Sequence, residues 1–281
     1  MESCLANAAV FGVASDEVNL ARDLVSGKNK DDGLFICEGL WAADKLVDGG
    51  FIIEQFVFCN AALAGLTETD LRRAERVARV AKKVCSVSQK AVEKISDRDG
   101  VDEFFIIARA KKWTLADIKN KFGGQKEVMA IVMDGLEQPG NIGAILRSFD
   151  SAGGDFAIIV NRKARLNGSR LVRASLGASF MLPVVETTIA EAQTWLEEND
   201  FRPIVTDLQA TKNYREIDYH GRIAIVAGNE HTGISPSWRK VKNAQSIIIP
   251  MLGSVESLNV GFASTLVAYE AGLTKFKNIK Y

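Results

Sequence analysis

The alternation of apolar and polar stretches is most regular in the second half of the chain. Short apolar runs rich in β-branched residues recur there, with amphipathic stretches between them. The runs are VMAIVMD, DFAIIVN, RPIVTDL, IAIVAGN and SIIIPML, and the stretches between them include AILRSFDSAG, SRLVRASLGA and IAEAQTWLEEND. Continuous apolar strands that alternate with helices are typical of a parallel sheet covered by helices on both faces. The pattern therefore predicts an α/β domain.

The first part of the chain shows the same alternation on a smaller scale. Its pattern predicts strands over 34–39, 52–59 and 102–110, and helices over 40–50 and 67–84. A polar stretch that contains two adjacent glycines follows at 111–127, and such composition favours a linker. We therefore predict a smaller α/β domain over 1–112, a linker over 113–126 and the parallel-sheet domain over 127–281.

Composition narrows the class of protein. Lys and Arg total 35, Asp and Glu also total 35, and 47% of the 281 residues are hydrophobic, which is typical of a globular protein and not of a strongly basic nucleic-acid binder. The start lacks the basic segment and the long apolar segment of a secretory signal, so we expect none, and no apolar run reaches the ~20 residues that span a bilayer. Four widely spaced cysteines and two histidines favour reduced thiols in the cytoplasm, without disulfides or a metal site.

The stretch LEQPGNIGAILRS follows the first apolar run of the parallel-sheet domain. Gly140 and Gly143 leave room for a ligand, and Asn141 is predicted to cap a helix that begins at 142 or 143. Arg147 lies four residues after Gly143, so both lie on one face of that helix. The spacing matches neither Gly-x-Gly-x-x-Gly nor a P-loop. A tight turn with a surface arginine and an anion site are both open.

Two further loops follow predicted strands. The stretch AGNEHTGIS at 227–235 has Glu230 between two glycines, and the stretch at 249–271 places Ser257 and Asn259 at the start of a long apolar helix. Each alone is also compatible with a polar turn or a helix cap. In open α/β sheets, however, ligands bind beyond the carboxyl ends of the strands. The three loops together therefore predict a ligand site.

Basic residues cluster on two predicted helices. Arg170 and Arg173 lie three apart on the helix SRLVRASLGA. The helix over 67–84 carries six basic residues, which are Arg72, Arg73, Arg76, Arg79, Lys82 and Lys83. Each cluster is either a solvated helix face or a surface that contacts phosphates, and both interpretations are open.

Taken in order, the three loops resemble the signature motifs of the SpoU (TrmH) family of RNA ribose 2′-O-methyltransferases, in the SPOUT superfamily. The motifs are N-x-G-x-x-x-R, G-N-E-x-x-G and I-P-M-x-G-x-x-E-S-L-N-V, within residues 127–275, and LVRASLGASFMLPVV is similar to the family's RAS-x-G-A stretch. The segments GLFICEG and VSQKAVEKISDRDG resemble the L30e-like substrate-binding domain that precedes many members. A departure lies at Lys28-Asn29-Lys30, where relatives commonly carry arginine.

The resemblance implies a fold and a cofactor. The expected fold is α/β, a C-terminal SPOUT domain with a parallel sheet and a C-terminal trefoil knot, preceded by a smaller L30e-like domain. The expected cofactor is S-adenosyl-L-methionine. Its binding positions in the family match Gly228, Ile249 and Leu258, and Thr206 and Leu208 extend the same pocket.

The resemblance also assigns roles to polar residues and to a partner subunit. Arg147 matches the arginine near the reacting hydroxyl, and we expect it to lower the pKa of that hydroxyl, because a guanidinium with a pKa above ~12 is a poor base. A homodimer through the C-terminal domain would bring Arg147 near the partner's cofactor. The residues expected to orient Arg147 and the ribose are Asn141, Glu230, Ser257 and Asn259, and the candidates for holding RNA are Arg170, Arg173, Lys28, Lys30, Arg72 and Arg76.

Three functions are open at this point. The first is a ribose 2′-O-methyltransferase that acts on structured RNA, with large-subunit ribosomal RNA favoured over transfer RNA. The second is a non-catalytic RNA-binding or ribosome-assembly protein of the same fold, and the presence of four polar motif residues counts against it, which are Arg147, Glu230, Ser257 and Asn259. The third is a nicotinamide oxidoreductase, which the missing Gly-x-Gly-x-x-Gly and the missing acidic residue ~20 positions later disfavour.

Overall fold

The structure is a computed structural model that describes residues 5–29, 31, 33–96 and 102–275. As far as Lys111, short strands and helices alternate, and a 3₁₀ helix at Asn60–Gly65 follows the third strand. The strands are β1 (Ala9–Phe11), β2 (Leu34–Glu38), β3 (Ile53–Cys59), β4 (Val84–Val87) and β5 (Phe104–Arg109), and the helices are α1 (Asp16–Val25), α2 (Ala43–Asp48), α3 (Glu68–Val80) and α4 (Gln89–Ile95).

The remainder of the described chain continues the alternation with longer connections, two of which contain 3₁₀ helices, at Tyr214–Glu216 and Pro236–Lys240. The elements are α5 (Leu115–Phe122), β6 (Val128–Asp134), α6 (Pro139–Ser151), β7 (Phe156–Val160), α7 (Ser169–Ser175), α8 (Ala178–Met181), β8 (Val184–Glu186), α9 (Ile189–Glu198), β9 (Arg202–Thr206), β10 (Arg222–Ala227), β11 (Gln245–Ile247) and α10 (Val260–Lys275). In the part of the chain that the structure describes, no helix is long and apolar enough to cross a bilayer.

The chain divides into two compact units. The first consists of Met1–Lys111 and Arg165–Gly177, and the second of Lys112–Ala164 and Ala178–Tyr281. The first unit has a five-stranded sheet in the order β1-β4-β3-β5-β2. Strands β1, β4 and β3 are parallel, and β5 is antiparallel to both β3 and β2. Three of the cysteines are free and buried in this unit, and Cys4 lies outside the described residues.

The second unit has a six-stranded sheet in the order β11-β9-β10-β6-β7-β8. Every strand pair in it is parallel. All seven residues of β6 and all five of β7 are buried, which explains why these strands are continuous apolar runs in the sequence. The predicted α/β fold with a parallel sheet is confirmed, and the trefoil knot stays a prediction.

The stretch predicted to be a linker, 113–126, instead contains helix α5. Thr114 and Asp117 form a reciprocal capping box at its start. Ile118 and Phe122 are buried in the hydrophobic core of the second unit, where the Phe122 ring lies 5.6 Å from that of Phe156. The polar residues that suggested a linker lie on the exposed side of this helix, so the second unit begins before β6.

Helix α7, in contrast, packs with the first unit. Its Ser169 hydroxyl donates a 2.6 Å hydrogen bond to the carboxylate of Glu38, which is 2% exposed at the end of β2. The Asn167 side chain donates to the carbonyl of Leu34 at 2.5 Å, and Lys45 donates to the carbonyl of Leu176 at 3.0 Å. The segment Arg165–Gly177, which the predicted boundaries assign to the second domain, thus belongs to the first unit.

Candidate active site

The three motif loops lie at one edge of the second sheet. The first loop (135–138) follows β6, the second loop (228–235) follows β10, and the third loop (248–259) follows β11. Because all strands of this sheet are parallel, their carboxyl ends share an edge. The second and third loops, together with the residues after β9, enclose a cleft of about 360 Å³.

The cleft contains most of the residues predicted from the sequence. All five predicted cofactor-binding residues and three of the predicted orienting residues line it. Backbone hydrogen bonds within the described residues involve neither the peptide group of Ile249 nor that of Leu258. These lining residues are Gly228, Ile249, Leu258, Thr206, Leu208, Glu230, Ser257 and Asn259. The structure thus brings the predicted set together, whereas the role of each residue stays a prediction.

A line of hydrogen bonds joins the second and third loops through the first turn of α6. The backbone N–H of Gly261 donates to Oδ1 of Asn259 at 2.9 Å, and Nδ2 of Asn259 donates to Oδ1 of Asn141 at 3.2 Å. Nδ2 of Asn141 then donates to Oε1 of Glu230 at 2.8 Å. The second oxygen of Glu230, Oε2, is buried and accepts no hydrogen bond. Because an unsatisfied buried carboxylate oxygen is costly, Oε2 is a ready acceptor for a ligand.

The position of Asn141 differs from the sequence prediction. Helix α6 begins at Pro139, with Gln138 as its N-cap and no capping bond from a side chain. Asn141 therefore lies in the first turn and does not cap the helix, so its amide is available to both Glu230 and Asn259. Similarly, α10 begins at Val260, and Asn259 rather than Ser257 accepts the bond from the first turn.

Arg147 does not line the cleft. It lies two turns into α6 with its side chain exposed, and within the described residues its guanidinium takes part in no hydrogen bond or ion pair. Gly143, one turn before it, is buried. Among the described residues, no carboxylate compensates the positive charge of Arg147.

Backbone constraints fix the shape of the second loop. Asn229 and Gly233 are bonded to each other through their backbones, and Oδ1 of Asn229 accepts from the N–H groups of His231 and Thr232 at 2.9 and 3.0 Å. A Cβ at Gly228 would lie 2.4 Å from the carbonyl carbon of Gly233, so any side chain there would deform the loop. The turn holds Glu230 at its tip.

Two acidic residues at this edge escaped the sequence analysis. Asp207 follows β9, lines the cleft, and accepts a hydrogen bond from Nε of Arg239 at 2.6 Å, which lowers its pKa. Asp134 ends β6 and is buried. The signal in the sequence was that each is the first charged residue after an apolar strand.

The predicted RNA-contacting residues differ in how free they are. Lys28, Arg72 and Arg170 are exposed, and Lys30 lies outside the described residues. Nε of Arg173 lies 3.7 Å from the buried carboxylate of Glu38.

On α3, most of the basic residues pair with carboxylates of the first unit. Arg76 forms ion pairs with Asp44 and Asp48, and Arg73 with Asp44 and Asp70. The hydrogen bond from Arg73, and then that from Arg76, hold the pKa of Asp44 below its ordinary value. The two ion pairs thus compensate the charge of Arg76 within the first unit.

Metal-binding geometry is not evident in the described residues, where no three His, Cys, Asp or Glu side chains are grouped to hold an ion. The fold and the cleft define the class of this protein as an α/β protein with a cleft at the carboxyl edge of a parallel sheet, where such folds bind ligands. The SpoU rRNA Methylase family matches residues 128–269, more than half of the chain. The chain belongs to that family, as its motifs indicated.

Two curated relatives each match half of the chain or slightly more. A protein named as a TrmH family tRNA/rRNA methyltransferase, from Staphylococcus saprophyticus subsp. saprophyticus, is 37% identical over 143 residues, which are 50% of this chain and 56% of that protein. A 23S rRNA (uridine(2479)-2′-O)-methyltransferase from Streptomyces viridochromogenes is 32% identical over 162 residues, 56% of each chain. The alignments thus span a little more than half the length of these relatives.

A solved structure extends the likeness to the whole chain. The AdoMet-bound rRNA methyltransferase from Sinorhizobium meliloti has a TM-score of 0.81, with 24% identity over 96% of this chain and 99% of that chain. At this identity the likeness establishes the fold, including the presence of an N-terminal unit before the methylase region.

Proposed function

We propose that this protein transfers a methyl group from S-adenosyl-L-methionine to a ribose 2′-hydroxyl of structured RNA, with large-subunit ribosomal RNA as the favoured substrate. Membership of the SpoU family supports RNA methylation, and the relative from Streptomyces viridochromogenes, by its name, supports the ribose and the ribosomal substrate. The observation that carries the proposal is the polar line from Asn259 through Asn141 to Glu230, which ends in an unsatisfied carboxylate oxygen at the cleft.

The cleft suits this cofactor. Apolar side chains of Ile249 and Leu258 line it for an adenine ring, and their peptide groups have no backbone partner among the described residues, so they can bond to the ring edge. Gly228, Thr206 and Leu208 would complete the same wall. Oε2 of Glu230 is an acceptor for an ammonium or hydroxyl donor. The bound cofactor supplies a methyl group on a positively charged sulfur.

The protein's own groups then have two tasks. In the transfer, the C–S bond breaks, a bond forms between the methyl carbon and the 2′ oxygen, and the hydroxyl proton must leave. Arg147 would bind the adjacent phosphate and the hydroxyl oxygen, which favours loss of the proton. Asn141, Glu230, Ser257 and Asn259 would orient the ribose, because alignment of the reacting atoms contributes much of the rate.

A homodimer would bring Arg147 to the cleft of its partner. Helix α10 exposes an apolar row at spacings of four, three and four residues, which places its members on one helix face. The row consists of Phe262, Leu266, Tyr269 and Leu273, with Phe262 69% exposed. Monomeric proteins rarely expose such an apolar face to water. In a two-fold dimer, the same row on the second copy would cover it.

Mixed dimers test the shared site. Arg147→Ala and Leu258→Glu are each expected to be inactive, the first through the lost charge and the second through a blocked cleft. If Arg147 acts across the interface, mixing and re-forming the dimers restores activity, since a mixed dimer then holds one complete site. Phe262→Glu should give monomers in sedimentation, whereas Val80→Glu, at an exposed apolar position on α3, should not. Activity that is never restored on mixing, or an active monomer, would refute the shared site.

The RNA surface is proposed to include Lys28, Arg72 and Arg170, the predicted basic residues that are exposed. Methylation assays on large-subunit ribosomal RNA and on transfer RNA, with the 2′-O-methyl position mapped, test the substrate. A protein that binds S-adenosyl-L-methionine and RNA without methylating either RNA would favour the non-catalytic alternative. Binding of NAD without S-adenosyl-L-methionine would favour the oxidoreductase.

A further inference from the structure

The carboxylate of Asp134 is buried at the end of β6, with 2% of the residue exposed. It does not line the cleft. A carboxylate in this environment is costly unless hydrogen bonds satisfy it. Its hydrogen-bond partners therefore identify the parts of the fold that this carboxylate holds in place.

Asp134 accepts three hydrogen bonds. Oδ1 accepts from Nδ2 of Asn161 at 2.8 Å, and Oδ2 accepts from the backbone N–H of Ser235 at 2.8 Å and from Nε1 of Trp238 at 3.2 Å. Asn161 follows β7, whereas Ser235 ends the second loop and Trp238 lies in the 3₁₀ helix after it. Since β10, β6 and β7 are neighbours in the sheet, one carboxylate joins the carboxyl ends of three adjacent strands.

The second loop is thereby attached at its two ends to two adjacent residues, Gly135 and Asp134. At its entry, Nδ2 of Asn229 donates to the carbonyl of Gly135 at 2.7 Å. At its exit, Ser235 is bonded to Asp134. Glu230 lies between these two attachments, so the position of its open Oε2 depends on them.

We propose that Asp134 is a positioning residue for the cofactor site, acting through the second loop without touching ligand. This inference rests on the proposed function for the identity of the ligand. The three partners of Asp134 all donate to it, and a charged carboxylate binds such donors more strongly than a neutral amide does. This difference gives the proposal its sharpest test.

In Asp134→Asn, Oδ1 can still accept from Ser235 and Trp238 but carries no charge, and the exposed side chain of Asn161 must turn its amide over to accept from the new amide. In the double variant Asp134→Asn with Asn161→Asp, all three hydrogen bonds form with a fixed acceptor at 161, and the negative charge returns to the cluster. Asn161 has φ +52°, a conformation that aspartate also tolerates. The exchange moves the charge by one side chain and keeps the volume of the site.

Hydrogen exchange of the ligand-free protein tests the positioning directly. Asp134→Asn should speed exchange at 229–235 by at least ~10-fold through easier local opening, and the double variant should return it close to wild type. The matched control is Asp155→Asn at the opposite edge of the sheet, which keeps an acceptor for the N–H of Met129 but removes the charge that pairs with Lys275. That control should lower the melting temperature without changing exchange of the second loop.

Titration with S-adenosyl-L-methionine tests the consequence for the site. Asp134→Asn should weaken binding ~10-fold or more, as for a lost hydrogen bond to a charged group, with recovery in the double variant and no change in Asp155→Asn. If Asp134→Asn does not fold, Trp238→Phe removes one of the two bonds to the loop exit and should speed its exchange.

Wild-type exchange in folded Asp134→Asn, or a double variant no better than the single one, would overturn the proposal. If the wild-type protein fails to bind S-adenosyl-L-methionine, the proposed function fails, and the exchange measurements still decide whether Asp134 positions the loop.

Discussion

Helix α3 in the first unit and the cleft in the second unit treat charge in opposite ways. On α3, Arg73 and Arg76 share Asp44, and each has a second carboxylate as well. In the second unit, Oε2 of Glu230 in the cleft accepts no bond, and the guanidinium of Arg147, which does not line the cleft, pairs with no group in the described residues. The sequence made α3 the more conspicuous charged feature, yet its charges are mostly compensated.

The difference indicates how structural and functional polar groups can be told apart. A group whose bonds are all made within its own unit contributes to stability and has little left to offer a ligand. A group left with open valences in a cleft carries a cost that a ligand can offset. Substituting a residue of the first kind should therefore lower the stability of the protein. Substituting one of the second kind should lower ligand binding or turnover.

The largest expected effect is at Arg147. Arg147→Ala should lower single-turnover methylation with saturating RNA by at least ~100-fold, the range for losing a positioned group that assists proton transfer. Affinity for S-adenosyl-L-methionine should stay unchanged, since Arg147 does not line the cleft. Arg147→Lys should recover only part of the rate, because an ammonium lacks the planar fork. Arg215→Ala, at an exposed arginine of the same unit, is the control. Wild-type turnover in Arg147→Ala would make it a binding residue or a bystander.

The next effect is at Glu230. Glu230→Gln can keep the bond from Asn141 through Oε1 but turns the open acceptor into a donor. We expect turnover or cofactor affinity to fall by ~10- to 100-fold, as for a lost hydrogen bond to a charged group. The melting temperature should not fall, since no bond within the chain is lost. Glu186→Gln, at an exposed residue of the edge strand β8, should behave as wild type in turnover. If Glu230→Gln lowers the melting temperature but neither turnover nor cofactor affinity, the distinction between the stabilising charges of α3 and the ligand-binding groups of the cleft is wrong.

A smaller effect separates Arg72 from Arg76. Arg72→Ala should reduce the slope of log affinity for RNA against log salt concentration by ~0.7–0.9, the value for one lost phosphate contact. Arg76→Ala should leave that slope nearly unchanged and lower the melting temperature, because its charge pairs with Asp44 and Asp48. Equal slopes for both variants would show that pairing on α3 does not keep an arginine from RNA.

The smallest effect is the pH dependence of the first unit. Arg73 and Arg76 lower the pKa of Asp44 below its ordinary value of 3.8. A carboxyl with a lowered pKa stabilises the fold above the ordinary value, and this contribution is lost as pH falls through the lowered pKa. Asp44→Asn should therefore lower the melting temperature near neutral pH, and the difference from wild type should shrink below about pH 4. A difference that stays constant with pH would remove the role of the Asp44 charge.

The parallel sheet was predictable because its strands are buried on both faces. Every residue of β6 is buried, and that strand matches the apolar run VMAIVMD from end to end. The short elements were missed because they bury too few residues to give an apolar run. Strand β8, for example, has three residues, of which one is buried, so it shows no clear hydrophobic periodicity. The helix predicted over 67–84 ends at Val80, because Ala81 adopts an extended conformation before β4 begins at Val84.

The cleft residues were predictable from motif order, but their bonding was not. No pattern in one sequence indicates that Asn141 bridges Glu230 and Asn259, since that depends on α6 beginning at Pro139. Asp134 was missed because it reads as the last residue of an apolar strand. The trefoil knot and the L30e-like character of the first unit stay predictions from the resemblance.

The bond from Ser169 to Glu38 has a consequence for how the chain is made. The first unit is discontinuous, because α7 is synthesised after β6, α6 and β7. During translation this unit cannot be completed until residue 177 has left the ribosome. Until then Glu38 lacks the hydrogen bond from Ser169, although part of the second unit has already emerged. A fragment that ends at Lys111 would lack α7, so its first unit would stay incomplete. Because the first unit consists of two separate segments, a single cut in the chain cannot separate two complete units.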